Sequence, residues 1–133
     1  MDVRGEFKSE VLPEGIERTG AVKGGYEGLT GYQSWKVAVI TYAERFDRKN
    51  LCRLERHMKT DEVFVLMAGE ATLFIGSEGT PVKMKPYESY NVKCGSWHSI
   101  SVSSDAKVLI CENIDTGADN TEYREWSPVN WEV

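Results

Sequence analysis

Histidine is almost absent from this chain: of 133 residues only His57 and His98 carry an imidazole. Any chemistry that needs neutral nitrogen donors is therefore confined to those two positions. Long apolar runs are missing too. None approaches the ~18 residues that a membrane helix requires, and the first residues, MDVRGEFKSEV, lack the apolar core of a secretory leader. The expectation is a cytoplasmic protein. Excess positive charge is also lacking. A formal net charge of −5 works against a nucleic-acid surface and against an acidic membrane, both of which draw on clustered Lys and Arg. Small molecules or other proteins remain as partners.

Cysteine is sparse and badly arranged for cross-linking. Cys52, Cys94 and Cys111 are an odd number without a C-x-x-C pair, so neither a disulfide framework nor a zinc ribbon is indicated. Cys52 and Cys111 fall in apolar strand patterns and read as small buried residues. Cys94 precedes His98 in a turn, with no neighbouring base to activate it. The glycine-rich stretch Gly20 to Gly31 (GAVKGGYEGLTG) lacks the G-K-[ST] ending of a phosphate loop, and reads as an arm or a loop over a barrel mouth.

What the sequence does contain is a succession of short strands. At this length one domain with one core is expected, and a hydrophobic fraction of 41% with 12 glycines suits a loop-rich β protein. Trp35 to Tyr42 (WKVAVITY) is the first clear strand, rich in β-branched and aromatic residues. After a charged loop at 43–50, further strands are expected near 51–57, 62–67, 71–76, 81–85, 89–93, 98–103 and 106–112. Glycine turns at Ala68-Gly69-Glu70 and Ser77-Glu78-Gly79 separate some of them. This spacing predicts an all-β jelly roll of two antiparallel sheets around one apolar interior. We expect residues 1–34 to form a glycine-rich arm, 35–113 the barrel, and 114–133 a tail. Trp126, Pro128 and Trp131 make that tail aromatic, so it should pack on the barrel or on a second subunit, which favours a homodimer.

Side chains alternate across a strand. Alternation over 51–57 puts Leu51, Arg53, Glu55 and His57 on one face, a carboxylate beside an imidazole. Glu62 opens the next strand and His98 follows the turn at Gly95-Ser96-Trp97. The spacing Glu55-x-His57-x4-Glu62-x6-Gly69, followed by Lys93-x-Gly95-x2-His98, resembles the two motifs of the cupin superfamily. In those motifs the first segment reads H-x-H-x4-E-x6-G and the second contains G-x2-H. Lys49, Tyr87, Lys93 and Val102 depart from the pattern, and so does Glu55, which stands where the family has a histidine.

The resemblance implies a double-stranded β-helix, sugar-epimerase-like in its small size. It also implies a metal site formed by Glu55, His57, Glu62 and His98. Such donors suit a divalent ion such as Mn²⁺, Fe²⁺, Ni²⁺ or Zn²⁺ without choosing among them, and Glu55 serves either as a ligand or as a carboxylate just behind the ligands. Small cupins include isomerases, lyases, epimerases and dioxygenases. The implied function is thus a metal-dependent enzyme on a small polar or anionic metabolite, with Glu62 or Glu55 moving the proton. The alternative is a module that only binds or senses a ligand. Arg53 is placed to grip an anionic group, or else to pair with Glu55 or Glu62. Lys36, Tyr42, Tyr90 and Trp97 are further lining candidates, although aromatics in a small β domain are more often core. The plain reading of the histidines is structural: His57 bonded to a neighbouring carboxylate, His98 packed beside Trp97.

Overall fold

In the computed structural model, which describes residues 11–128, the chain forms ten strands in two five-stranded antiparallel sheets. The strands are β1 (Gly25–Tyr32), β2 (Trp35–Thr41), β3 (Arg53–His57), β4 (Glu62–Ala68), β5 (Ala71–Ile75), β6 (Thr80–Lys83), β7 (Ser89–Val92), β8 (His98–Val102), β9 (Lys107–Asn113) and β10 (Thr121–Glu125). One sheet has the order β1-β2-β9-β4-β7, the other β10-β3-β8-β5-β6. Consecutive strands repeatedly cross from sheet to sheet, which is jelly-roll winding. Two single-turn 3-10 segments, Glu44–Phe46 and Arg48–Asn50, occupy the charged loop between β2 and β3.

The stretch expected to be a glycine-rich arm contains β1, paired with β2 from Gly25↔Thr41 to Tyr32↔Trp35. Glycine weakens a strand but does not forbid one; here the hydrogen bonds of a neighbour with strong β character compensate. The tail differs likewise, since β10 pairs with β3 from Thr121↔His57 to Glu125↔Arg53. Both sheets therefore extend beyond residues 35–113. Trp126 folds back, its ring 5.3 Å from that of Phe74 and its Nε1–H donating to the Glu78 carbonyl at 3.1 Å. Residues 1–10 and Trp131 lie outside the described residues.

Alternation divides each strand into an inward and an outward row. The inward rows of β2, β4, β8 and β9 supply Ala38 and Ile40, Phe64 and Leu66, Ile100 and Val102, and Val108 and Ile110, all buried in one cluster. Continuing each row by one alternate position gives Lys36, Glu62, His98 and Glu112. The container is thus apolar at one end and polar at the other. Contrary to the expectation of burial, Cys52 and Cys111 are exposed, as is Cys94. Cys111 follows Ile110 and so points away from the interior.

Gly69, in the β4–β5 turn, has φ +70°, and a Cβ there would lie 2.6 Å from the Ala106 Cα. Gly28 has ordinary backbone geometry and open space around it. Gly69→Ala is expected to destabilise the fold by ~2 kcal/mol or more, whereas Gly28→Ala should be neutral to slightly stabilising. Urea midpoints of the two variants check the contrast.

Candidate metal centre

The polar end of the container surrounds a cavity of about 530 Å³ that opens to solvent. At its base, two imidazoles converge on a single oxygen. His57 Nε2 lies 3.0 Å and His98 Nε2 3.1 Å from Glu62 Oε1, and all three side chains are buried. Glu55 Oε2 is 3.3 Å from His57 Nε2. β3 and β8 bring these groups together through the pair Glu55↔His98, and Glu62 arrives at the start of β4 on the opposite sheet. The register of β9 adds a residue that motif spacing does not identify. Glu112 pairs with Lys36 on β2 and, one step beyond the pair Val63↔Cys111, stands level with Glu62.

Glu112 is 6% exposed. Its Oε2 accepts a hydrogen bond from the Tyr26 hydroxyl at 2.5 Å and lies 3.9 Å from Lys36 Nζ, whereas Oε1 is buried without a partner. Two carboxylates side by side inside a protein repel each other. Burial and the charge of Glu62 push the Glu112 carboxyl up to about 7, against the opposing effects of Tyr26 and Lys36. Glu62 behaves oppositely: burial would raise its pKa, but the hydrogen bonds and charge of His57 and His98 hold it well below the usual carboxylate range. Both imidazoles are raised in turn; burial acts to lower them, and Glu62 outweighs it.

These atoms fit a divalent cation. His98 Nδ1 lies 3.0 Å from the Ser96 carbonyl, which accepts only a proton-bearing nitrogen. In neutral His98 that leaves Nε2 as a bare lone pair facing the Glu62 carboxylate, an arrangement that needs either a second proton or a metal ion. His57 Nδ1 is held 2.9 Å from the Thr121 hydroxyl, leaving its Nε2 aimed at the same point. Donor atoms of Glu55, His57 and His98, and of His57, Glu62 and Glu112, lie within 4.8 Å of one another in each group. One divalent ion together with the Lys36 ammonium balances the charge of three carboxylates, and the unpartnered Glu112 Oε1 gains a positive neighbour.

Four expected residues, Glu55, His57, Glu62 and His98, are therefore brought together. Arg53 and Lys36 line the same cavity, and Arg53 makes no ion pair with Glu55 or Glu62 within 4 Å. Tyr42, Tyr90 and Trp97 are not in its lining. Tyr42 is on the inward row of Lys36 but six residues along it, roughly 20 Å, where its hydroxyl donates to Asp47 Oδ2 at 2.9 Å. Tyr90 sits level with Phe64, one inward step from Glu62, and its hydroxyl accepts from the Lys85 amide at 2.8 Å. Trp97 precedes the inward His98 and so faces outward, its ring stacked by the guanidinium groups of Arg56 and Arg124. Glu112 and Tyr26 were missed. The available signal for Glu112 was an acid continuing the apolar alternation Val108, Ile110; Tyr26 gave none, because its strand was read as a loop.

This is the cupin fold, an all-β double-stranded β-helix of two antiparallel sheets. Solved structures with the same architecture include Pac13, a nucleoside dehydratase from Streptomyces, with a TM-score of 0.60 at 7% identity over 80% of this chain and 84% of that one. A cupin-2 domain protein of Shewanella frigidimarina superposes with TM-score 0.52 at 14% identity, over 85% of this chain and 93% of that one. KdgF from Halomonas gives TM-score 0.54 at 12% identity, over 73% and 87%. No protein-family profile and no curated protein matches the chain by sequence.

His57→Ala and His98→Ala are each expected to reduce bound divalent metal at least tenfold at matched free-metal concentration, while the β-rich circular dichroism is retained. Elemental analysis after reconstitution and gel filtration provides the measurement. Full metal content in both variants would refute the centre.

Proposed function

We propose that this protein is a metal-dependent cupin enzyme acting on a small polar, anionic metabolite by acid–base chemistry of the isomerase or lyase type. The observation that carries this reading is the convergence of His57, His98 and Glu62 at the base of a cavity large enough for a metabolite, beside a buried carboxylate oxygen with no protein partner. Cavities of roughly 300–1,000 Å³ are the usual size for such ligands.

His57, His98, Glu62 and Glu55 would hold the ion, which, when bound, polarises a carbonyl or hydroxyl oxygen of the substrate. Glu62 Oε1 already lies between two imidazoles and is poorly free to exchange protons. Proton transfer then falls to Glu112, which lines the cavity with its Oε2 tied to Tyr26; Glu55, on the opposite sheet, is the other carboxylate in reach. Lys36, between Glu112 and the Thr116 carbonyl, orients this wall of the cavity and compensates its charge. The apolar floor of Ile40, Phe64 and Ile100 limits the water around the reacting groups.

Among solved structures of the same fold, Pac13 is described as a nucleoside dehydratase and has been solved with uridine, so the scaffold is compatible with enzymatic use of this cavity. Pairing of two chains is proposed as well. The outward row of the first sheet carries Trp35, Val37, Val39, Leu109, Val65 and Met67, with Trp35 and Met67 more than two-fifths exposed, and sedimentation equilibrium reads the association.

Proton exchange tests the chemistry. Metal-loaded protein incubated in D₂O with a panel of small hydroxy and keto acids should catalyse deuterium incorporation next to the carbonyl, followed by proton NMR. Glu112→Gln should slow it by about 10²-fold or more when compared at equal bound metal. Stoichiometric metal without exchange or turnover on any member of the panel would favour the ligand-binding module instead.

A further inference from the structure

The rim of the cavity carries two arginines that are held in place and not used. The Arg45 guanidinium lies 4.1 Å from the centre of the Phe46 ring, and that of Arg53 lies 4.0 Å from the centre of the Tyr123 ring. Both line the cavity. Neither makes a side-chain hydrogen bond or an ion pair among the described residues. The contrast with other arginines is informative. Arg48 donates to the Pro128 carbonyl, Arg56 grips Glu122 through two nitrogens at 2.8 and 2.6 Å, and Arg124 donates to the Ser77 carbonyl. Those three stack on rings as well, so stacking by itself marks nothing. What distinguishes Arg45 and Arg53 is that their forks of N–H donors stay free where they border a cavity.

A guanidinium presents five donors in a rigid plane that matches carboxylate or phosphoryl oxygens two at a time. Stacking on a ring removes much of the side-chain freedom that binding would otherwise cost. Both residues come from the connection between β2 and the start of β3, and both are exposed where they border the cavity, whereas Glu62 and Glu112 are buried. The cavity is thus lined by two kinds of charge: carboxylates compensated by Lys36, and two exposed cations without a hydrogen-bond or ion-pair partner among the described residues. A monocarboxylate would satisfy one fork and leave the other unused. A phosphomonoester, which carries close to two negative charges and three acceptor oxygens at neutral pH, suits both.

We propose that Arg45 and Arg53 form an anion clamp for the phosphoryl group of a phosphorylated small metabolite, whose polar carbon end would reach the base of the cavity. The proposal rests on the cavity being the substrate site, but the clamp needs no metal, and its test is made on metal-stripped protein. Inorganic phosphate is titrated at pH 8 and constant ionic strength by isothermal calorimetry, with acetate and malonate as comparison anions. Phosphate should bind saturably and at least tenfold tighter than either comparison anion. Arg45→Met and Arg53→Met should each weaken it at least fivefold, and the double variant should abolish it, whereas Arg56→Met on the outer face should leave it unchanged. Arg45→Lys and Arg53→Lys, which keep the charge without the fork, should also weaken binding and serve if the methionine variants fail to fold. Phosphate bound no better than acetate or malonate, or equally well by the double variant, overturns the clamp while leaving the metal centre untouched. Loss of metal in His57→Ala with phosphate binding intact is the converse result and supports the clamp.

Discussion

Two imidazoles aimed at one buried carboxylate oxygen is an arrangement that a protein interior does not tolerate for free. Each nitrogen must bring a proton, or a cation must replace both. The tie from His98 Nδ1 to the Ser96 carbonyl sharpens this, because it leaves the neutral ring with a lone pair pointing at negative charge. Around that point the chain adds Glu55, and Glu112 level with Glu62 on the neighbouring strand. Such a concentration of acid is costly without a compensating positive charge. The geometry around Glu62 is therefore the feature on which the proposed metal site and the proposed acid–base role both rest.

The way the strands are built makes that concentration possible. Each inward row passes from apolar to polar within a few residues: Val108, Ile110, Glu112; Leu66, Phe64, Glu62; Val102, Ile100, His98. The apolar two-thirds hold the sheets together, and the last position of each row carries a polar or charged side chain at a cost in stability. Burial of the rest allows the polar positions to be held within hydrogen-bonding distance of one another. Pac13 and KdgF share the architecture at 7% and 12% identity, which shows how little of the residue sequence the container itself demands.

Legibility was uneven along the chain, for physical reasons. Strands β2 to β9 were readable within a residue or two because β-branched runs between glycine turns leave few alternatives. The edge strands β1 and β10 were not. β1 is rich in glycine and β10 in charge, and each is a strand only because a neighbour supplies the ladder. Residue type alone does not bring an aromatic side chain to the cavity: Tyr42 sits at the far end of an inward row, Tyr90 one inward step from Glu62, and Trp97 on the outward side of an alternation.

By itself the sequence determined the strand periodicity and the two-sheet class, since spacing along a strand dictates which side chains share a face, and the motif spacing singled out Glu55, His57, Glu62 and His98 as one set. Only the tertiary structure decided that Glu112 and Tyr26 join them, that Arg45 shares the cavity mouth with Arg53, and that Trp97 does not enter. Those outcomes depend on which strands lie side by side and in what register. Pairing between segments as distant as Tyr26 and Glu112 leaves no periodic trace in either one.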